Sequence, residues 1–373
     1  MLAQSAAPVS PSTPAGTSSF SQAADQANAA RQAGNFHQAI ALYSQALQLN
    51  PSWPDGWWYL GQMHYAANDY GQAVDAFTHY LTLVPNAAPA TALRGLCEFE
   101  LGDYDASLRD VQQALKLGAA DDSRNTQILR YHEALLLTHA GHFEEALQTF
   151  TWFAQHNLSN SEMLVAIGLA ALRIPHLPAE ADAAQQEECT AAGNAVLRFL
   201  SGDTPGTAQA MQDFFRRYPT AANLHYTWGY LLYATDPDAA VVQFREAVRI
   251  DPNAAVAHTM LAWALLMDND PQAALPEARK AAAQAPTLPL AQLSLGRALL
   301  ESGDVGAATP VLEAALTLDP QNLEVHIALA RAYAEAGRAE DARRQRLLCL
   351  QMTDRTAKTA PAMGQQQEAP PAE

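Results

Sequence analysis

Lysine is almost missing from this chain. Lys116, Lys280 and Lys358 are the only three among 22 basic residues, in a sequence of 373. Lysine-based covalent chemistry is therefore largely excluded. Basic residues are outnumbered by 39 acidic ones, for a formal charge of −17. Nucleic acid and anionic membrane surfaces need clustered Lys and Arg, so neither is expected as the main partner. Cysteine is equally sparse: Cys97, Cys189 and Cys349 stand far apart with no CxxC pair. That spacing fits neither a zinc site nor a disulfide framework. Long apolar runs are absent too. The best, residues 164–172, falls well short of the roughly 18 residues that cross a bilayer. No membrane insertion is expected.

The N-terminus lacks a charged start followed by an apolar run, so no signal peptide is present as written. On the sequence as given, a soluble cytoplasmic protein is expected. Residues 1–8, Met-Leu-Ala-Gln-Ser-Ala-Ala-Pro, nevertheless resemble the surroundings of a signal-peptidase cleavage site. If an upstream signal precedes the stated start, the expected compartment becomes the periplasm or the exterior.

Catalytic signatures are missing as well. There is no GxGxxG, no Gly-Lys-Ser/Thr phosphate loop and no GxSxG elbow. The nearest metal-like cluster is His132, Glu133, His139, His142, Glu144 and Glu145. A zincin helix needs a second His four residues after the first, and Leu136 stands there instead. His139 and His142 straddle a predicted inter-helix turn, where polar residues belong. Acidic pairs such as Glu187-Glu188 are better explained by helix-dipole preference and solubility than by glycosidase chemistry. The expectation is a protein that is not an enzyme and carries no metal or cofactor.

What is present is a period. Ala39, Ala73 and Ser107 are 34 residues apart, as are Ala240, Ala274, Ala308 and Ala342, and Pro252, Pro286 and Pro320. In 54–87 the period frames Trp57, Leu60, Gly61, His64, Ala73, Phe77, Tyr80 and Pro85. Positions 57, 60, 61 and 64 share one helix face, and 73, 77 and 80 share one face of the next helix. Small residues at 61 and 73 let the helices approach. Asn68-Asp69 supplies the turn, and Pro85 stops the second helix. One hairpin cannot bury its apolar face alone, so neighbours must stack.

This pattern resembles the tetratricopeptide repeat (TPR), W-x2-L-G-x2-Y followed by A-x3-F and P, with His64 and Tyr80 as departures. The resemblance runs from about residue 20 to about 352. It implies an all-α fold: a right-handed α-solenoid of stacked antiparallel helix hairpins, the TPR superhelix. Copies are read at 20–53, 54–87, 88–121, 127–160, 222–254, 255–288, 289–322 and 323–352, with a degenerate copy at 188–221. The expected organisation is a disordered tail (1–19), an N-terminal block (20–173), an irregular connector containing Pro175 and Pro178 (174–187), a C-terminal block (188–352) and a disordered tail (353–373).

In TPR proteins the first helix of each repeat lines the concave groove. Carried over residue by residue, the resemblance implies ligand contact from Trp58, Tyr59, Gln62 and Tyr65; from Phe99; from Tyr131 and Leu135; from Asn223, Tyr226, Tyr230 and Tyr233; and from Trp263 and Met267. Trp58-Gln62-Tyr65 and Tyr226-Tyr230-Tyr233 each form one helical stripe. Such stripes either seal one repeat to the next or meet a ligand. Some TPR adaptors grip a C-terminal carboxylate with a Lys/Asn/Arg clamp. Trp58, Tyr59 and Gln62 replace it here, as do Ala92, Leu93 and Leu96.

The expected partner is therefore a protein or peptide segment with apolar or proline-rich anchors, and the expected function a protein-binding scaffold. The alternative is an assembly factor acting through its outer faces. It could also self-associate through the terminal helix, where Arg343, Arg344 and Arg346 adjoin Leu347, Leu348 and Leu350.

Overall fold

The computed structural model describes residues 15–118 and 123–359. Among these the chain forms nineteen α-helices and one short 3-10 turn, with no strand. The chain divides into two compact units, residues 1–214 and 215–373.

The first unit contains α1 (Ala15–Gln32), α2 (Phe36–Leu49), α3 (Pro54–Ala66), α4 (Tyr70–Leu83), α5 (Ala88–Glu100), α6 (Tyr104–Lys116), α7 (Ser123–His139), α8 (Phe143–Gln155), α9 (Ser161–Ala171) and α10 (Ala183–Leu200). The helix α11 (Thr204–Arg217) carries the boundary. The second unit continues with α12 (Ala222–Leu232), α13 (Pro237–Ile250), α14 (Ala255–Met267), α15 (Pro271–Gln284), α16 (Pro289–Glu301), α17 (Val305–Leu318), α18 (Leu323–Glu335) and α19 (Ala339–Thr359). Within each unit the helices pack as hairpins that stack on their neighbours. The fold is an all-α TPR solenoid.

Local chemistry repeats with the period. The first helix of a hairpin ends on a left-handed residue, at Gly34, Asn68, Gly102, Asn269, Gly303 and Gly337. Glycine and asparagine tolerate that conformation, and the next amide then reaches back to close the helix end, as Asp69 N–H does onto His64 O at 2.9 Å. An aspartate starts the second helix. Asp236, Asp270 and Asp304 each accept a bond from the backbone N–H three residues on, at 3.0 Å. Inside a hairpin, a glycine of the first helix receives a large side chain of the second: Phe77 on Gly61, Phe244 on Gly229, Leu312 on Gly296. Phe77, Phe244 and Leu312 are fully buried.

A stitch joins successive repeats. The proline that ends one repeat leaves a carbonyl that the first helix of the next repeat satisfies. Trp57 Nε1–H donates to Pro51 O at 2.8 Å, His258 Nε2–H to Pro252 O at 3.0 Å, Gln292 Nε2–H to Pro286 O at 3.0 Å, and His326 Nε2–H to Pro320 O at 3.1 Å. Three different residue types, Trp, His and Gln, do one job, which is why no residue pattern announces it.

Residues 174–187 lie inside the first unit. They include a 3-10 turn at Pro178–Glu180 and the first turn of α10. The helix α10 then packs back along α9, so closely that a Cβ on Gly168 would sit 1.9 Å from Cys189 O, and one on Gly193 1.9 Å from Leu164 O. Residues 15–19, expected in the N-terminal tail, form the first turns of α1, and residues 353–359 continue α19. The remainder of both expected tails lies outside the described residues.

Candidate functional site

The sequence-predicted residues of the first unit lie on α3, α5 and α7, and most are half-buried among other rings. Trp58 meets Phe77 at 5.8 Å and Tyr80 at 5.5 Å between centroids. Tyr59 stacks on Tyr43 at 5.9 Å, with the Arg31 guanidinium 4.0 Å above its ring. Tyr65 sits edge-on to Tyr70 at 6.0 Å. Phe99 contacts Tyr104 at 5.6 Å and His132 at 4.8 Å. Tyr131 lies against His132 and Phe153; burial, reinforced by the charge of Glu162, raises the pKa of its hydroxyl. Gln62 is half-buried. Leu135 is different: it is 6 % exposed and belongs to the core.

The histidines of the metal-like cluster are engaged separately. His132 bonds Ile128 O through Nδ1 at 2.8 Å, and burial lowers its pKa. His139 lies against Tyr104, and Glu144 pairs with Arg173. Among the described residues no group of three or more His, Cys, Asp or Glu is placed to hold a metal ion. Cys97 and Cys189 are buried, and burial pushes both thiols up to about 12.

In the second unit the arrangement is more continuous. Tyr226 is 6 % exposed and packs against Phe244 in the core, so only its neighbours remain accessible. Tyr230 and Tyr233 are half-buried, while Asn223 and Met267 are exposed. The Trp263 indole lies beside Tyr233 and works against the burial that raises the pKa of that hydroxyl. The Arg297 guanidinium lies 5.0 Å from the Trp263 ring centroid. Arg297 also pairs with Glu301 at 3.2 Å and approaches Glu324 at 3.9 Å. Arg331 pairs with Glu335 at 2.8 Å.

Tyr230, Trp263, Arg297 and Arg331 occupy one position of four successive first helices, on α12, α14, α16 and α18. One face thus passes from rings and a thioether to alternating arginine and glutamate. Arg297, Glu301, Arg331 and Glu335 were missed in the sequence. Extending the period two repeats beyond Trp263 finds both arginines, since 263, 297 and 331 are 34 apart.

Hairpins stacked at a fixed step, with a run of equivalent side chains along one set of helices, define a helical-repeat solenoid whose chemistry is recognition. Among the described residues no helix is long and apolar enough to cross a membrane. Two tetratricopeptide-repeat family models match the chain, one at residues 24–88, 64–124 and 230–289, the other at 299–345. The chain belongs to the tetratricopeptide-repeat family. No curated protein matches it. Similar solved structures include a MamA protein (20 % identity, TM-score 0.41, covering 48 % of this chain and 97 % of that one). Another is MamA 41-end from Desulfovibrio magneticus RS-1 (18 % identity, TM-score 0.39, 47 % and 98 %).

Proposed function

We propose that the chain is a non-enzymatic scaffold that holds a protein or peptide segment along the first helices of its second unit. The observation that carries this reading is the connected run Tyr233, Trp263 and Arg297, in which an indole lies beside a tyrosine and is covered by a guanidinium. Rings held in this way offer contact area with little entropy left to lose. Tyr230, Trp263 and the exposed Met267 take apolar or proline-rich anchors of the partner. The Arg297–Glu301 and Arg331–Glu335 pairs fix its register through polar contacts. In the first unit, Trp58, Gln62, Tyr65 and Phe99, each half-buried, present the same kind of surface. The reading holds equally in the cytoplasm or after export.

The test is affinity capture from native lysate with wild type and with a Tyr230→Ala, Trp263→Ala variant that circular dichroism shows to be folded. A partner lost only in the variant is the expected result. A partner retained equally overturns the groove. A second reading, assembly through the terminal helix, draws on the exposed Leu347 and Leu350, at 53 % and 62 %.

A further inference from the structure

The hairpin of α18 and α19 has no successor among the described residues. One step earlier, the groove of α16 and α17 is filled by α18. Val325, Leu329 and Ala332 are buried there in one core with Leu293, Leu299, Leu300 and Leu312. The equivalent groove of α18 and α19 is open, with a volume of about 630 Å³. Leu323, Ile327, Ala330, Ala334, Cys349 and Leu350 supply its apolar wall. Ile327 is 47 % exposed, although its counterpart Leu293 is 1 % exposed. The width of this groove suits a helix, because helices occupy the equivalent grooves of the preceding hairpins.

Its charge is also distinctive. Phe77, Phe244 and Leu312 fill one position in their hairpins, and that position in α19 is Arg346, which lines the groove with Arg331. Arg331 is paired with Glu335, whereas Arg346 has no ion-pair partner among the described residues. On a chain of charge −17, α19 carries five basic residues (Arg343, Arg344, Arg346, Arg355 and Lys358) against three acidic ones. Glu335 also lines the groove and offsets Arg331, so its net positive charge rests on Arg346; an apolar groove with that one arginine, on an acidic protein, is complementary to an acidic amphipathic helix. The chain's own residues 360–373 fit poorly. They offer one large apolar side chain, Met363, among three prolines.

We propose that the α18–α19 groove docks an acidic amphipathic helix of a partner protein, its apolar face on Ile327, Cys349 and Leu350 and its carboxylates on Arg346. This groove meets the Tyr230–Trp263 face only at the Arg331–Glu335 pair, and none of the variants below touches that pair, so the two readings fail independently.

The probe is a displayed library of helices of about 20 residues with Leu or Ile at i, i+4, i+7 and i+11 and flanking positions drawn from Glu, Gln and Lys. It is selected on the full chain. Glu-rich sequences should enrich, and the selected peptide should protect Cys349, the one thiol that is not buried, from alkylation. Arg346→Glu should weaken binding roughly tenfold and turn the selection towards Lys. Ile327→Asp with Leu350→Asp should abolish it, and both sites are exposed enough to leave the fold intact by circular dichroism. Trp263→Ala should leave the affinity for this peptide unchanged.

The proposal is overturned if nothing enriches, if Lys-rich sequences enrich on wild type, or if binding survives the double variant. Two further results also overturn it. Stronger peptide binding after deletion of 360–373 assigns the groove to the tail. A light-scattering dimer abolished by Leu350→Asp assigns it to a second copy.

Discussion

The hairpins α3–α4 and α9–α10 close in different ways. In α3–α4 a side chain fills a hole: the Phe77 ring lies over Gly61, close enough that a Cβ there would meet ring carbons at 2.6 Å. In α9–α10 backbone meets backbone. Gly168 lies under the Cys189 carbonyl and Gly193 under the Leu164 carbonyl. A ring can tilt aside, whereas a helix backbone moves only as a whole. The first mode writes itself into the sequence as a glycine and an aromatic at fixed spacing. The second leaves only two glycines on helices of ordinary composition.

The sharpest way to break this comparison is to add one methyl group to each hairpin. Gly168→Ala should cost about 3 kcal/mol or more, because the two helices must separate. Gly61→Ala should cost about 1 kcal/mol in crowding, largely offset by about 1 kcal/mol of helix propensity. Urea unfolding followed by far-ultraviolet circular dichroism reads both. Equal losses would mean that the closure modes are not mechanically distinct.

A third mode gives the next largest effect. In α5–α6 the closure is polar: Arg94 donates to both carboxylate oxygens of Asp110, at 2.6 and 2.9 Å. Glu98 shares the site with one buried oxygen lacking a hydrogen-bond partner. Burial, with the Asp110 charge adding to it, pushes the Glu98 carboxyl up to about 7 from 4.5. A carboxyl raised in the folded state favours folding when protonated. Its contribution is present below the unfolded value and is lost as pH rises towards 7. Glu98→Gln should therefore raise stability by about 2 kcal/mol at pH 8 and by little at pH 5. The same gain at both pH values would remove the burial explanation.

The smallest effect tests the stitch between regular copies. Trp57→Phe keeps a ring but leaves the Pro51 carbonyl without its indole donor. The expected loss is about 1 kcal/mol, because that carbonyl lies near solvent. Hydrogen exchange should show faster opening at the start of α3 and unchanged protection in α9. Unchanged protection at both would make the stitch incidental.

Much of the fold was legible because its cause is local. Asn68 carries a turn signal and takes the left-handed backbone conformation. Gly61 and Ala73 are small where the helices must approach, and both are buried. The candidate site was less legible. Tyr226 and Leu135 follow the groove spacing yet lie in the core. Arg297 carries no motif, yet it covers the Trp263 ring.

The period, the hairpins and the helix ends follow from the order of residues alone, since each depends on residues within a turn or two of one another. Which stripe of each first helix is covered, how α10 returns along α9, and where rings meet guanidinium groups all depend on packing. Helical spacing places residues on a shared face, but burial depends on the neighbour that arrives there, and that neighbour comes from a distant part of the chain.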